Sequence, residues 1–350
     1  MKISAKQNIL LGYFSLRNLT CFFGNKKLDP PVIIWILTHR CNFQCKHCVS
    51  WHDNSSFEAK RLMETAKKIA DSKSLIVNLS GGELFLVPNI TEIISVLKKA
   101  GKIVSINTNA WFLDKYIDFI IEQDIDSISV SMDGYNSDIH DNLRKKGSFD
   151  RIISNLEKLK NKRKNKKPHI GIRGVVMREN FSDVEKYIER FVDLADDIKF
   201  QPVHNYTDSM LHAVTDGSVL FLKEQEEELK RVFLDLGKKY KFMKTNYHQM
   251  FPRFIFNPQS MKNVSPIHCI PVLFFSLKIE PDGSCYTCSK KVGNINEQSL
   301  SEIWSSKERR EFLKNLTACG SCETPCWLNS NVISSETPGK VLKFFISKGL

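Results

Sequence analysis

No apolar run in this 350-residue chain approaches the roughly 20 residues that a membrane span needs, so a transmembrane reading is excluded at the outset. The first thirty residues interrupt their apolar positions with Asn18, Gly24 and Asn25, which is not the pattern of a cleaved signal. Acidic residues are in deficit: 39 Asp and Glu stand against 51 Lys and Arg, a formal charge of +12. A basic balance invites a nucleic-acid partner. No aromatic-rich stacking motif accompanies the main basic run, Lys158 to Lys167, which reads as the solvated end of a helix. No nucleic-acid partner is therefore expected. With 42% of its residues apolar, the chain is able to bury a sizeable core.

Ten cysteines in a chain of this size invite disulfides, but all except Cys21 fall into two groups with metal-like spacing, which points to a reducing, cytoplasmic location. Cys21 reads as a buried inert thiol. The first group is Cys41, Cys45 and Cys48, spaced C-x3-C-x2-C just past a hydrophobic run. Three thiolates on a tight loop suit three corners of a four-iron, four-sulfur cluster and leave the fourth iron without a protein ligand. An iron with an open position is able to bind and reduce a ligand. Zinc is the alternative, and it would need His47 or His52 as a fourth donor.

From Pro31 onward short apolar runs alternate with amphipathic stretches, the pattern of a parallel α/β sheet. Strands are predicted at 32–37, 75–79, 103–107, 127–131, 170–176 and 198–201. Helices are predicted at 57–71, 90–100, 113–123, 149–162 and 181–194, with Ile152, Leu156 and Leu159 sharing one face. Six such units in this length fit a six-stranded partial (β/α) TIM-like barrel better than a closed one. The expected divisions are an N-terminal segment 1–30, a barrel 31–206, a connector 207–265, a small cysteine-rich α+β extension 266–330 and a tail 331–350. Both termini mix basic and apolar residues; they read as packed segments, with weak peripheral membrane contact as the alternative.

In parallel βα architectures ligands bind at the carboxyl ends of strands. The cysteine loop follows the first strand. Ser80-Gly81-Gly82-Glu83 follows the second, where glycines permit close approach and Glu83 is able to accept a bond from an ammonium group. Asn107-Thr108-Asn109-Ala110 follows the third, and Ala110 in a turn that favours glycine is either held to negative φ or strained. The fourth ends in Ser131-Met132-Asp133-Gly134, with His140, Asp141 and Arg144 beyond. Arg173 in the glycine-rich fifth strand faces inward or outward by parity, and Gln201, His204 and Tyr206 end the sixth.

This series resembles the radical S-adenosylmethionine superfamily, whose cysteine loop Cys41, Cys45 and Cys48 match without insertion. Leu84 replaces the proline of the family's Gly-Gly-Glu-Pro motif. The resemblance implies that the open iron chelates S-adenosylmethionine, that Gly81, Gly82 and Glu83 hold its amino group, and that Asn109 belongs to the binding turn. It further implies that Ser131 meets the ribose or carboxylate region, Arg144 the methionine carboxylate, and the backbone near Gln201 the adenine. Electron transfer would cleave a carbon–sulfur bond to give a 5'-deoxyadenosyl radical that abstracts hydrogen. A reductant such as ferredoxin or flavodoxin is the implied partner.

The second group is Cys269, Cys285, Cys288, Cys319, Cys322 and Cys326. Lys278 to Cys288 reads as a hairpin turning at Asp282-Gly283, followed by a helix over 300–316 capped by Ser299 or Ser301. The layout resembles the SPASM domain and its shorter twitch form, which hold auxiliary iron–sulfur clusters. Two fully thiolate-ligated clusters need more cysteines than these six, so one auxiliary four-iron cluster is expected, with a second only if other ligands complete it. Cys269, Cys288, Cys319 and Cys322 are the favoured ligands, because Cys285 and Cys288 point to opposite faces of a regular strand. The substrate implied is a peptide or protein, or a small molecule such as a sugar. The short N-terminal segment weighs against a separate peptide-recognition domain, and Ser289 stands where sulfatase-maturing relatives carry an aspartate. An iron–sulfur electron carrier or a zinc-bearing binding module is the non-enzymatic alternative, and neither needs the strand-end series from Gly81 to Arg144.

Overall fold

The computed structural model describes residues 28–52, 59–203, 216–244, 248, 251–256, 276–288 and 290–314. Strands β1 (Val32–Ile36), β2 (Ile76–Ser80), β3 (Ile103–Thr108), β4 (Ser127–Ser131), β5 (His169–Val176) and β6 (Asp197–Pro202) pair in chain order, all parallel. This is the expected six-stranded partial barrel. Between the strands run α1 (Ala59–Asp71), α2 (Ile90–Lys99), α3 (Ile117–Glu122), α4 (Ser137–Leu143), α5 (Ser148–Lys162) and α6 (Val184–Phe191).

Side-chain alternation sorts the sheet into two unlike faces. Val77, Leu79, Val104, Ile106, Ile128, Val130, Ile170 and Ile172 are fully buried in one core with helix residues Ile93, Ile152, Leu156 and Leu159. On the other face the register aligns Asn107 with Ser129, and Ser131 with Arg173 and then Lys199. Arg173 therefore faces this polar, half-buried concave side, in the row of Ser131.

The connector supplies α7 (Glu226–Lys239), which buries Leu229, Phe233 and Leu236, and a short α8 (Phe251–Phe256). Beyond it come β7 (Ser276–Ile279), β8 (Ser284–Thr287) and β9 (Lys290–Asn294). They are not a detached unit: β7 pairs in parallel with β1, so barrel and extension share one nine-stranded sheet. The hairpin turns through Gly283 at φ 84, a conformation that favours glycine.

Three helix expectations are corrected. The stretch 300–316 is two helices among its described residues, α9 (Leu300–Trp304) and α10 (Lys307–Lys314). Ser299 caps α9 in a capping box with Glu302, and the Ser306 hydroxyl accepts from the Arg309 amide at 3.2 Å, so a second cap starts where one helix was expected to continue. The stretches 113–123 and 181–194 each begin as a 3₁₀ turn before the α-helix. Finally, α4 lay unpredicted in a polar stretch; the Asn136 side chain caps it by accepting from the Ile139 amide.

Three residues of the basic run are paired locally. Arg163 pairs with Asp196, Lys162 with Asp118, and Lys167 with Asp124 and Asp126. Among the described residues no helix is long and apolar enough to cross a membrane. Residues 1–27 and 331–350, with Cys21, lie outside the described residues.

Candidate active site

The cysteine loop leaves the end of β1 and is gripped by the turns after β2, β3 and β4. Gly82 donates its amide to the Thr38 carbonyl at 2.7 Å and Glu83 to that of Arg40 at 2.9 Å. A Cβ on Gly81 would stand 2.4 Å from the Thr38 oxygen, and one on Gly82 would stand 2.3 Å from the Arg40 oxygen. The two glycines thus let the second turn lie directly against the backbone that presents the thiols.

Glu83 is fully buried. Its carboxylate accepts from the Phe85 amide at 3.1 Å, the Asn109 amide at 2.8 Å and the Thr108 hydroxyl at 2.8 Å. Burial pushes its pKa up to about 7 against the downward pull of those donors. It fastens the second turn to the third. Asn109 carries the chain of bonds onward: its side-chain amide donates to Asn42 at 2.8 Å and reaches within 3.8 Å of the Cys41 sulfur. Ala110 takes the strained alternative at φ 59, held by its amide to Thr108 Oγ1 and by Asn155 on its carbonyl.

The fourth turn reaches the loop through Asp133. This carboxylate is buried; it accepts from Arg144 Nε at 2.5 Å and from the Val175 amide at 2.8 Å, and His47 Nδ1 lies 3.6 Å away. Burial would raise its pKa, but Arg144 and His47 outweigh that and hold it below the usual carboxylate range. The Arg144 guanidinium, opposed by burial but supported by Asp133, ends above its ordinary value. Its Nη1 points to the Cys45 sulfur at 3.9 Å. Lys145 donates to the Asn42 carbonyl and lies over Trp111, and Lys46 donates its amide to Leu143. Burial pushes the Cys41 thiol up to about 11 and that of Cys45 up to about 12, so loading a metal there releases protons. His47 and His140 are lowered by burial to about 4 and about 3.

Sequence models of known families agree with this geometry. The radical SAM superfamily model matches residues 35–191, and an iron–sulfur cluster-binding domain matches 269–327. The chain carries a radical S-adenosylmethionine domain followed by an iron–sulfur cluster-binding domain. It is 29% identical over 204 residues to the antilisterial bacteriocin subtilosin biosynthesis protein AlbA of Bacillus subtilis, covering 55% of this chain and 42% of AlbA. It is 31% identical over 166 residues to an AdoMet-dependent heme synthase of Methanosarcina barkeri, covering 46% of each. The chain thus spans less than half the length of either relative. In fold it is similar to Streptococcus suis SuiB bound to S-adenosylmethionine, with TM-score 0.64, 16% identity, and 91% of this chain and 78% of that one covered.

The first domain implies a four-iron cluster and S-adenosylmethionine, and the second implies auxiliary iron–sulfur binding. The donor set fits. Cys41, Cys45 and Cys48 carry reduced thiols on one loop. Three thiols on one loop suit three separate irons of a cube.

The remaining site residues divide. Ser131 and Gln201 lie half-buried on the concave face. Cys285 is fully buried in the core and donates to the Gly283 carbonyl, whereas Cys288 is exposed just past β8 at φ 55. Cys269, Cys319, Cys322, Cys326, His204 and Tyr206 lie outside the described residues. Sequence reasoning missed Asp133 as the partner of Arg144 and Thr108 as the donor to Glu83; each stood inside a quoted motif, but only proximity in space reveals the pairing.

Proposed function

We propose that this chain uses its cysteine-loop corner to cleave S-adenosylmethionine reductively and to abstract a hydrogen atom from a substrate carbon. The observation that carries the reading is the convergence of three separate strand-end turns on one thiol loop, through the Glu83 amide, the Asn109 side chain and the Arg144 guanidinium. Cys41, Cys45 and Cys48 would hold the four-iron cluster. Bound there, cluster and cosubstrate supply a 5'-deoxyadenosyl radical by one-electron cleavage of a carbon–sulfur bond.

The chain's own residues supply the rest. Glu83 and Asn109 brace the loop from the side of the second and third turns, and Gly81 and Gly82 let the second turn lie directly against the backbone that presents the thiols. Ser131, Arg173, Lys199 and Gln201 offer polar contacts on the concave face, where a substrate would meet the barrel. Cys288, with Cys269, Cys319 and Cys322, would ligate an auxiliary cluster; Cys285 would remain a core thiol. A low-potential donor of the ferredoxin or flavodoxin class would supply the electron in a reducing cytoplasm.

A peptide or protein is the favoured substrate, because AlbA serves bacteriocin biosynthesis. A small molecule is the second reading, supported by the similarity to a heme synthase. Anaerobic reconstitution followed by iron counting and reduction in the presence of S-adenosylmethionine tests the activity. Release of 5'-deoxyadenosine by the wild type and its loss in Cys45→Ala is the expected result. A wild type that binds iron yet releases none would overturn the enzyme reading.

A further inference from the structure

Arg144 is committed elsewhere than its motif suggests. Its side chain is only 8% exposed and that of Asp133 is fully buried. Nε is spent on Asp133 at 2.5 Å, and Asp133 is itself fixed by the Val175 amide and, through its backbone carbonyl, by Asn180 at 2.8 Å. Arg144 is also the C-cap of α4, with its amide donating to the His140 carbonyl at 2.9 Å. Backbone and guanidinium are therefore both anchored, and the planar fork leaves Nη1 pointing to the Cys45 sulfur at 3.9 Å. Cys45 is itself 6% exposed, so water screens this approach poorly.

We propose that Arg144 acts on the cluster bound by Cys41, Cys45 and Cys48, donating an N–H to the Cys45 thiolate and raising the cluster's reduction potential, with Asp133 as the positioning residue. Reduction adds one electron to the cluster and no proton, the electron coming from an external low-potential donor. The added negative charge falls within reach of a fixed, buried guanidinium, which stabilises the reduced form more than the oxidised one. Hydrogen bonds to ligand sulfurs and nearby net charge are established levers on such potentials. The second half of the pair fits this role: without Asp133, the long Arg144 side chain would have other rotamers, and a cation that wanders from the sulfur tunes nothing. The inference rests on the cluster reading above, and it gives Arg144 a different task from the methionine carboxylate contact that the family resemblance implies.

Removing Arg144 alone would strand a buried carboxylate, so the informative variants are the double Asp133→Asn with Arg144→Gln, which removes both charges together, and Arg144→Lys, which keeps the cation but not the fork. Each is reconstituted anaerobically beside wild type, checked for fold by circular dichroism and for iron content, and titrated potentiometrically with the reduced cluster followed by electron paramagnetic resonance, without S-adenosylmethionine. At a fixed ambient potential the double variant is expected to show at least a tenfold lower ratio of reduced to oxidised cluster, equivalent to about 59 mV for one electron. Arg144→Lys is expected to recover part of that shift. Binding of S-adenosylmethionine to the oxidised proteins is measured in parallel. An unchanged potential in the loaded double variant overturns the proposal, and weakened cosubstrate binding alongside it returns Arg144 to the carboxylate. Folded variants that load no iron also overturn it, by assigning the pair to cluster assembly. A wild type that loads no iron instead overturns the cluster reading on which the proposal stands.

Discussion

The two cysteine regions of the described molecule are built on opposite plans. In the barrel corner the thiols sit on a loop fastened from four sides, by Gly82 and Glu83, by Asn109, by Arg144 and by Lys145. In the hairpin, Cys285 is a core residue of β8 and Cys288 stands exposed beyond the strand end. The first region is shaped by the chain's own hydrogen bonds. In the second, one described thiol is spent on packing and the other is offered outward. Preorganisation of this kind belongs where an open iron must be aimed at a reacting bond; a cluster that only holds charge needs ligands more than aim.

The sharpest way to break that contrast is to delete one thiol from each region. Cys45→Ala is expected to abolish 5'-deoxyadenosine release, whereas Cys288→Ala should lose auxiliary iron yet still cleave S-adenosylmethionine in the absence of substrate. Cys285→Ala should keep its iron and lose about 1–2 kcal/mol of stability for a small buried cavity. Iron content and product assays on the three proteins check this. Equal loss of cleavage in Cys45→Ala and Cys288→Ala would erase the distinction.

Next in size is the glycine seat. Gly82→Ala drives a methyl group into two backbone oxygens, those of Arg40 and His39, neither of which is a flexible side-chain end. A cost of about 3 kcal/mol is expected, at the upper end for overpacking, together with poor iron retention at the barrel corner. Gly101→Ala, where nothing lies near the added carbon, is the control; at φ 75 it should cost about 1 kcal/mol through backbone strain alone. Urea denaturation of the iron-free proteins measures both.

Acid sensitivity should divide the regions as well. His47, His140 and His248 are lowered by burial to about 4, about 3 and about 4, and all three lie outside the hairpin and its following helices. A base whose folded pKa lies below its unfolded value favours the folded state at higher pH, and this support is lost as pH falls through the unfolded pKa near 6.5. Glu83 has the opposite sign: its raised pKa of about 7 favours the folded state at low pH and costs stability as pH climbs from about 4.5 to about 7. The histidines outnumber it. Roughly two protons are therefore expected to be taken up on unfolding near pH 5, read from the pH dependence of the urea midpoint of iron-free protein. Glu83→Gln should raise that uptake to about three.

How much of this was legible in the sequence follows from which interactions are local. The strands were, because Val, Ile and Leu dominate the buried face of most of them and the strand-end motifs follow immediately in the chain. The single helix expected over 300–316 was not correctable from periodicity, since only the Ser306 cap reveals the second start. Helix α4 is short and mostly polar, so its pattern carried little signal beyond Asn136. The opposite dispositions of Cys285 and Cys288 followed from strand parity, although the strand ends before Cys288 and the left-handed backbone there does part of the separating. What no reading of spacing reached was the partner of each motif residue. Glu83 meets Thr108 only after β2 and β3 are laid side by side, and Asp133 meets Arg144 only after α4 folds back over the turn that follows β4.

The smallest test concerns a feature the two regions share: each holds a non-glycine residue in left-handed backbone, Ala110 at φ 59 in the barrel and Cys288 at φ 55 in the hairpin. Ala110 is fully buried and bonded at both its amide and its carbonyl, so the surrounding structure imposes its conformation. A left-handed alanine costs about 1–2 kcal/mol, which glycine would relieve. Glycine would also lose a buried methyl worth about 0.8 kcal/mol and add about 0.4–1 kcal/mol of unfolded-chain entropy. Ala110→Gly should therefore stay within about 1 kcal/mol of wild type, because the three effects nearly cancel. Ala110→Val has no such compensation: a β-branched side chain is a genuine outlier at positive φ, and its extra carbons have no room in a sealed core. A loss of more than about 2 kcal/mol is expected there. If valine were tolerated as well as glycine, the third turn would be soft, and the barrel corner would lose one of the anchors that distinguish it from the hairpin.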